Sequence, residues 1–192
     1  MESRAQEKDF LLKYSMADAE ERVSIMLDNY THFPKLVRKH EKMTQYKIKS
    51  EREFMRSHNR ADLGVRVQSS KINDSTAEEA IANVMLEEAF KTGDVSDGQL
   101  KGIDNAAEYE RQIRIISIMK MDYELLEECV EDLDEQDCFM LKSMLVKKMY
   151  IKEIAAETGM SYDYTKRRIK YLKEAVTLDV VECIQMNCGE GM

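Results

Sequence analysis

The residues with most to offer chemically lie in "KEIAAETGMSYDYTKRRIK", Lys152 to Lys170. Arg167 has the planar fork that donates two hydrogen bonds to guanine O6 and N7, and Asp163 can accept one from cytosine N4. Lys166 and Lys170 suit phosphate oxygens, contacts that fix position without reading sequence. Tyr162 and Lys152 complete the set, Tyr162 at the exposed start of a helix. From Lys142 to Lys173 nine Lys or Arg oppose three acids, a net of +6. Such a patch neutralises several phosphates, and each contact steepens the salt dependence of binding. The candidate DNA-binding residues are therefore Tyr162, Asp163, Lys166, Arg167, Lys170 and Lys152. The plainer account of the same stretch is a helical hairpin with a solvated basic face.

Presenting those side chains together takes two short helices crossing at a steep angle. Ala155 supplies a small residue at the crossing, and Gly159, four residues on, takes the left-handed backbone that the turn needs. Ser161 is the N-cap of the second helix. Thr165, Ile169, Leu172 and Val176 fall within about 60° of one another at helical spacing and form its inward stripe. Ile151, Ile154 and Met160 complete a small core with Phe139, Leu141 and Leu145 of a preceding helix, which starts near Asp134. Thr165 stands where Val or Ile would be usual. Its methyl can pack while its hydroxyl bonds back to the preceding turn.

The remainder reads as helical too. One proline, seven glycines and no tryptophan make a helix-forming composition. Residues 1–30 carry Phe10, Leu11, Tyr14, Ala17, Val23, Met26 and Leu27 at spacings of three and four. Pro34 marks a boundary with a helix beginning at or just after it. From Lys35 to Arg60 nine bases oppose three acids, and the apolar residues Leu36, Met43, Tyr46, Ile48 and Phe54 are too sparse for a deep core. "LGVRVQSSKIND", Leu63 to Asp74, is a polar linker or short strand. Ser75 and Glu78 then have capping-box spacing. The helix they open carries Ile81, Val84, Met85 and Ala89 as its stripe and stops at Gly93. A long helix from about Asn105 buries Ile113, Ile116, Met119, Tyr123, Leu126 and Val130. Within it begins an acidic run, Asp122 to Asp137, with nine acids and no base. A solvated face is its plain explanation, and a protein-binding surface the sharper one. The expected fold is all-α in three parts: a helical region 1–62, a linker and amphipathic helix 63–104, and a long helix with the helix-turn-helix over 105–192.

Several classes are disfavoured. No apolar run reaches the roughly 18 residues of a membrane span, and the charged start "MESRAQEKDF" has no signal-peptide core, so the cytoplasm is expected. Cys129, Cys138, Cys183 and Cys188 form no CxxC pair and lie far from His32, His40 and His58. Free or buried thiols are expected, with no metal and no cofactor. No nucleophile elbow, phosphate-binding loop or HExxH is present, so no catalytic residue is assigned. "SHNR", Ser57 to Arg60, lacks acidic metal ligands. The net charge of −8 argues mildly against nucleic acid, but the acids and bases are segregated along the chain.

The stretch Leu133 to Val176 resembles region four of bacterial sigma factors, whose helix-turn-helix reads the −35 promoter element. It departs from that pattern at Thr165 and at Tyr162, where arginine is frequent. The whole chain is similar to the phage late-transcription regulators RinA and ArpU, with Val67 to Ser70 and then Asp74, Ser75 and Thr76 matching their polar linker before a helix. The resemblance implies a phage or prophage regulator that binds double-stranded DNA and acts on host RNA polymerase. Reading a palindrome would require a homodimer, with the N-terminal helices as its surface. Two other readings stay open. One is a phage counter-defence protein that inhibits a host enzyme through its acidic stretch. The other is a DNA-packaging small subunit.

Overall fold

The structure, a computed structural model, describes residues 10–61, 75–96, 99–100 and 102–189. The linker expected at 63–74 lies outside the described residues, as do the side chains of the proposed Ser75–Glu78 cap. Among the described residues all regular structure is helical, as expected. In chain order the elements are α1 over residues 10–16, α2 Ala19–Asp28, α3 Phe33–Ala61, α4 Ser75–Thr92, α5 Ala106–Glu131, α6 Glu135–Leu145, α7 Ile151–Thr158 and α8 Tyr162–Gly189. Among the described residues no helix is long and apolar enough to cross a membrane.

The stretch 1–30, expected to be helical, holds two helices among its described residues. Asp18 separates them, because its carboxylate accepts the Glu21 N–H at 2.8 Å and starts α2. α3 begins at Phe33 with Pro34 in its first turn, where a missing N–H costs nothing. The chain forms two compact units, unit 1 of Met1–Leu36 with Met119–Met192 and unit 2 of Val37–Ile118. The three parts read from the sequence follow chain order, whereas these units divide within α3 and α5.

Unit 1 is organised around aromatic rings. Phe33 stacks on Tyr123 with centroids 5.5 Å apart, and Tyr14 and Phe10 lie 5.7 and 6.3 Å from Phe33. Tyr123 Oη donates to the Tyr30 carbonyl at 3.0 Å. α2 packs on α8, and Val23, Met26 and Leu27 of the one and Val176, Val180, Val181 and Ile184 of the other are buried. The apolar faces of α1 and α2 thus serve the core of their own unit. Most of their apolar residues, from Leu11 to Leu27, are already covered within the unit, leaving Leu12 and Met16 exposed. The extent of α8 is also greater than Ser161–Val176, because the apolar spacing continues through Val180 and Ile184.

In unit 2, α3 turns Val37, His40, Thr44 and Ile48 inward. Two of these four are polar, which is why an apolar count over 35–60 missed the face. Thr44 Oγ1 donates to Gln112 Oε1 at 3.0 Å, so the buried hydroxyl is satisfied. The stripe assigned to α4 is wrong in three of its four members. Ile81 and Val84 are 60% and 65% exposed and Met85 is exposed as well, while Leu86, Ala89 and Phe90 are buried. The helix is apolar around much of its circumference, and the larger Leu86 and Phe90 set the inward face about 90° to 170° from the expected one. Gly93 ends α4 with φ of +80°, and a Cβ there would come within 3.2 Å of Ser117 Oγ. All six residues expected to line α5 are buried.

Candidate nucleic-acid interface

α6, α7 and α8 pack on one another within unit 1 and form the small domain that carries the candidate residues. Asp134 occupies the N-cap position of α6, although its side chain makes no capping bond. Before α7 the backbone turns through Lys148, at φ 55°. Glu153 then accepts the Tyr150 N–H at 2.8 Å and secures the first turn. α7 ends at Gly159, φ 70° and ψ 16°, with the Met160 N–H returning to the Ala155 carbonyl at 3.0 Å. A Cβ at Gly159 would meet nothing within 4 Å, so glycine is needed here for its backbone conformation and not for space. Ser161 caps α8 by accepting the Tyr164 N–H at 3.3 Å.

The inward stripe of α8 is as expected: Thr165, Ile169, Leu172 and Val176 are buried, with Ile154, Ala155, Leu141 and Leu145 also in the core. Met140, not anticipated, is fully buried, while Ile151, Met160 and Phe139 are half-buried. Thr165 is 0% exposed, and its hydroxyl donates to the Ser161 carbonyl at 3.0 Å. The departure from Val or Ile is therefore accommodated, with the polar atom satisfied inside the helix.

Tyr162, Asp163, Lys166, Arg167, Lys170 and Lys152 are all exposed. Lys170 reaches Glu174 at 3.6 Å, an exposed pair that a phosphate could replace. No ion pair engages Lys166 or Arg167 among the described residues. The three bases of "KRR" thus have different fates. Arg168 turns back to α6, where its Nε donates to Asp137 Oδ1 at 2.9 Å and its Nη2 to Oδ2, and its guanidinium lies 5.3 Å from the Tyr171 ring centroid. Hydrogen bonding to Asp137 raises its pKa further. Arg168 holds α8 against α6 and leaves Arg167 to face solvent.

The acidic stretch is less uniform than its sequence suggests. Asp122 is buried, accepts from Tyr14 Oη at 2.8 Å and lies 3.7 Å from Arg22. Burial raises its pKa despite the opposing effects of the Tyr14 hydrogen bond and the Arg22 charge. Asp137 is buried against Arg168, and Glu131 binds Lys142 at 3.1 Å. The hydrogen bond that Lys142 donates to Glu131 raises the Lys142 pKa. Glu124, Glu127, Glu128, Asp132, Asp134 and Glu135 are exposed. Cys129, Cys138 and Cys183 are free thiols, and no cluster suited to a metal occurs among the described residues.

Two exposed aromatics on the same helix were missed. Tyr164 and Tyr171 stand three residues before and four after Arg167, so all three share one side of α8. The signal was present in that spacing, but attention to charge passed over it. The surface offers a hydrogen-bond fork, ammonium groups and ring faces, the means of holding a polyanion and reading base edges. Compared with protein-family models, curated proteins and solved structures, the chain finds no match in any of the three.

Proposed function

We propose that the chain is a sequence-specific DNA-binding transcriptional regulator that presents the first half of α8 to the major groove. The observation that carries this reading is the division between neighbouring arginines. Arg168 is engaged by Asp137, while Arg167 stands exposed beside Lys166 and Lys170 on a helix fixed by Gly159 and Ser161. Arg167 and Asp163 are assigned to base edges, and Lys152, Lys166 and Lys170 to phosphates. Tyr162 lies at the entry to the groove. The likeness to sigma region four and to RinA and ArpU supports a phage or prophage origin and a host RNA polymerase partner.

The test is selection of bound duplexes from random DNA at two salt concentrations, with the Arg167→Ala, Lys170→Ala double variant alongside. A defined motif that the double variant fails to enrich supports the proposal. Absence of enrichment at low salt refutes it, and equal recovery of all sequences reduces the protein to a non-specific binder.

A further inference from the structure

We infer that unit 2 carries a separate binding surface for single-stranded nucleic acid on α3, beyond the duplex-reading role proposed for α8. The outer side of α3 is basic. Arg38, Lys39, Lys42 and Lys49 are exposed, and with Tyr46 they fall within about 100° of one another at helical spacing. One acid of the segment is engaged away from this side. Glu51 turns toward α5, where it accepts Tyr109 Oη at 2.9 Å and the Asp104 N–H at 2.7 Å. Glu41 is half-buried, and Glu53 is the exposed acid of the three.

Charge alone would suit any polyanion, and the aromatic residues make the choice. Tyr46 is 74% and Phe54 57% exposed, which leaves both ring faces open to a stacking ligand. They stand eight residues apart, about 12 Å along the helix, with Ser50 between them. Together they border a shallow groove of about 340 Å³ completed by Lys47, Glu51 and Tyr109. Tyr46 lies on the basic side and Phe54 about 80° further round the helix, next to Lys47, and rings next to cations form an arrangement that binds single strands, because bases stack on the rings while cations follow the phosphates. Glu51 within the groove is engaged by hydrogen bonds from α5, which accommodates its charge beside a phosphate chain.

The experiment is fluorescence anisotropy of the full chain with a labelled 12-nucleotide single strand of mixed sequence, as DNA and as RNA, over a salt series. The wild type is expected to bind. Tyr46→Ala with Phe54→Ala should weaken binding about 30-fold or more with little change in salt slope. Lys42→Ala with Lys49→Ala should lower the slope of log K against log salt by about 1.4. All four side chains are exposed or border solvent, and circular dichroism checks that each variant folds. Arg167→Ala with Lys170→Ala should retain the share of single-strand binding that depends on Tyr46, Phe54, Lys42 and Lys49, which separates this surface from α8. Failure of the wild type to bind a single strand at low salt overturns the inference. So does an aromatic double variant that binds as wild type, or loss of single-strand binding in the α8 variant. Vesicles of phosphatidylserine and phosphatidylcholine are the competing probe, and preferential binding to them through Tyr46 and Phe54 also overturns it.

Discussion

Adjacent arginines with opposite roles make the sharpest prediction. Arg168→Ala removes both hydrogen bonds to Asp137 and leaves a carboxylate, 10% exposed, with no counter-charge in the α6–α8 contact. Breaking a fully buried pair costs about 3–5 kcal/mol. The Arg168 side chain is 34% exposed, so solvent screens part of that loss, and about 2 kcal/mol is expected. At a urea dependence of roughly 2 kcal/mol per molar, the unfolding midpoint falls by about 1 M. Arg167→Ala touches nothing inside the fold and should move the midpoint by less than about 0.3 M, matching a surface change of under ~0.5 kcal/mol. Binding to the selected duplex, measured where both variants are folded, should reverse the order. Arg167→Ala loses about 1–3 kcal/mol of discrimination at one base pair, whereas Arg168→Ala keeps the preferred sequence. Equal stability loss in the two variants would refute the structural division. Retained sequence preference in Arg167→Ala would refute its reading role. Adding Asp137→Asn to Arg168→Ala should recover part of the lost stability, since no uncompensated charge then remains.

Gly159→Ala should cost about 1–2 kcal/mol by forcing a side chain into the left-handed region, read as a lower thermal midpoint with no change in helical content. Glu51→Ala removes the acceptor for the Asp104 and Asn105 N–H groups at the start of α5 and should cost about 1 kcal/mol. Although burial pushes the Glu51 carboxyl up, the hydrogen bonds from Tyr109, Asn105 and Asp104 lower it on balance. Its contribution should therefore be complete above the ordinary carboxylate range and disappear as pH falls through the depressed value, which urea titrations of wild type and variant at several pH values will show. Asp122 has the opposite sign. Its raised pKa makes the folded state favour the protonated form, so wild type should lose stability relative to Asp122→Asn as pH rises through the carboxylate range, then level off.

What could be read in advance, and what could not, follows from how each element encodes itself. α7, its glycine turn and the inward stripe of α8 were legible because a tight crossing leaves few acceptable residues at Ala155, Gly159 and Ser161. α5 was legible because six large apolar residues keep helical spacing without competition. α4 misled because an apolar residue on nearly every side gives no preferred face, and only its tertiary neighbours choose one. The buried side of α3 was hidden because His40 and Thr44 are polar, and the partnership of Thr44 with Gln112 lies 68 positions away. The same distance effect obscured Arg168 and Asp137. Both read as surface charges, one in a basic run and one in an acidic run, and nothing local reveals that they meet. Tyr162, Asp163, Lys166, Arg167 and Lys170 stand off the buried stripe, as its spacing implied, while the exposure of Tyr164, Tyr171 and the ring pair on α3 depends on tertiary neighbours.

The joining of the first 36 residues with the segment from Met119 onward in one compact unit has a consequence for biosynthesis. During translation Val37–Ile118 can gather its own contacts first, whereas α1 and α2 must wait for α8 before their apolar faces are covered. Closing that gap is a long-range event of the slow kind that leaves apolar surface open to misassembly. A chain arrested before Val180, Val181 and Ile184 would lack the part of α8 that is buried in unit 1. An incomplete product would thus leave the α2 face formed by Val23, Met26 and Leu27 without part of the helix that α2 packs on. Burial of the N-terminal helices is in this way tied to the last part of α8 to be made.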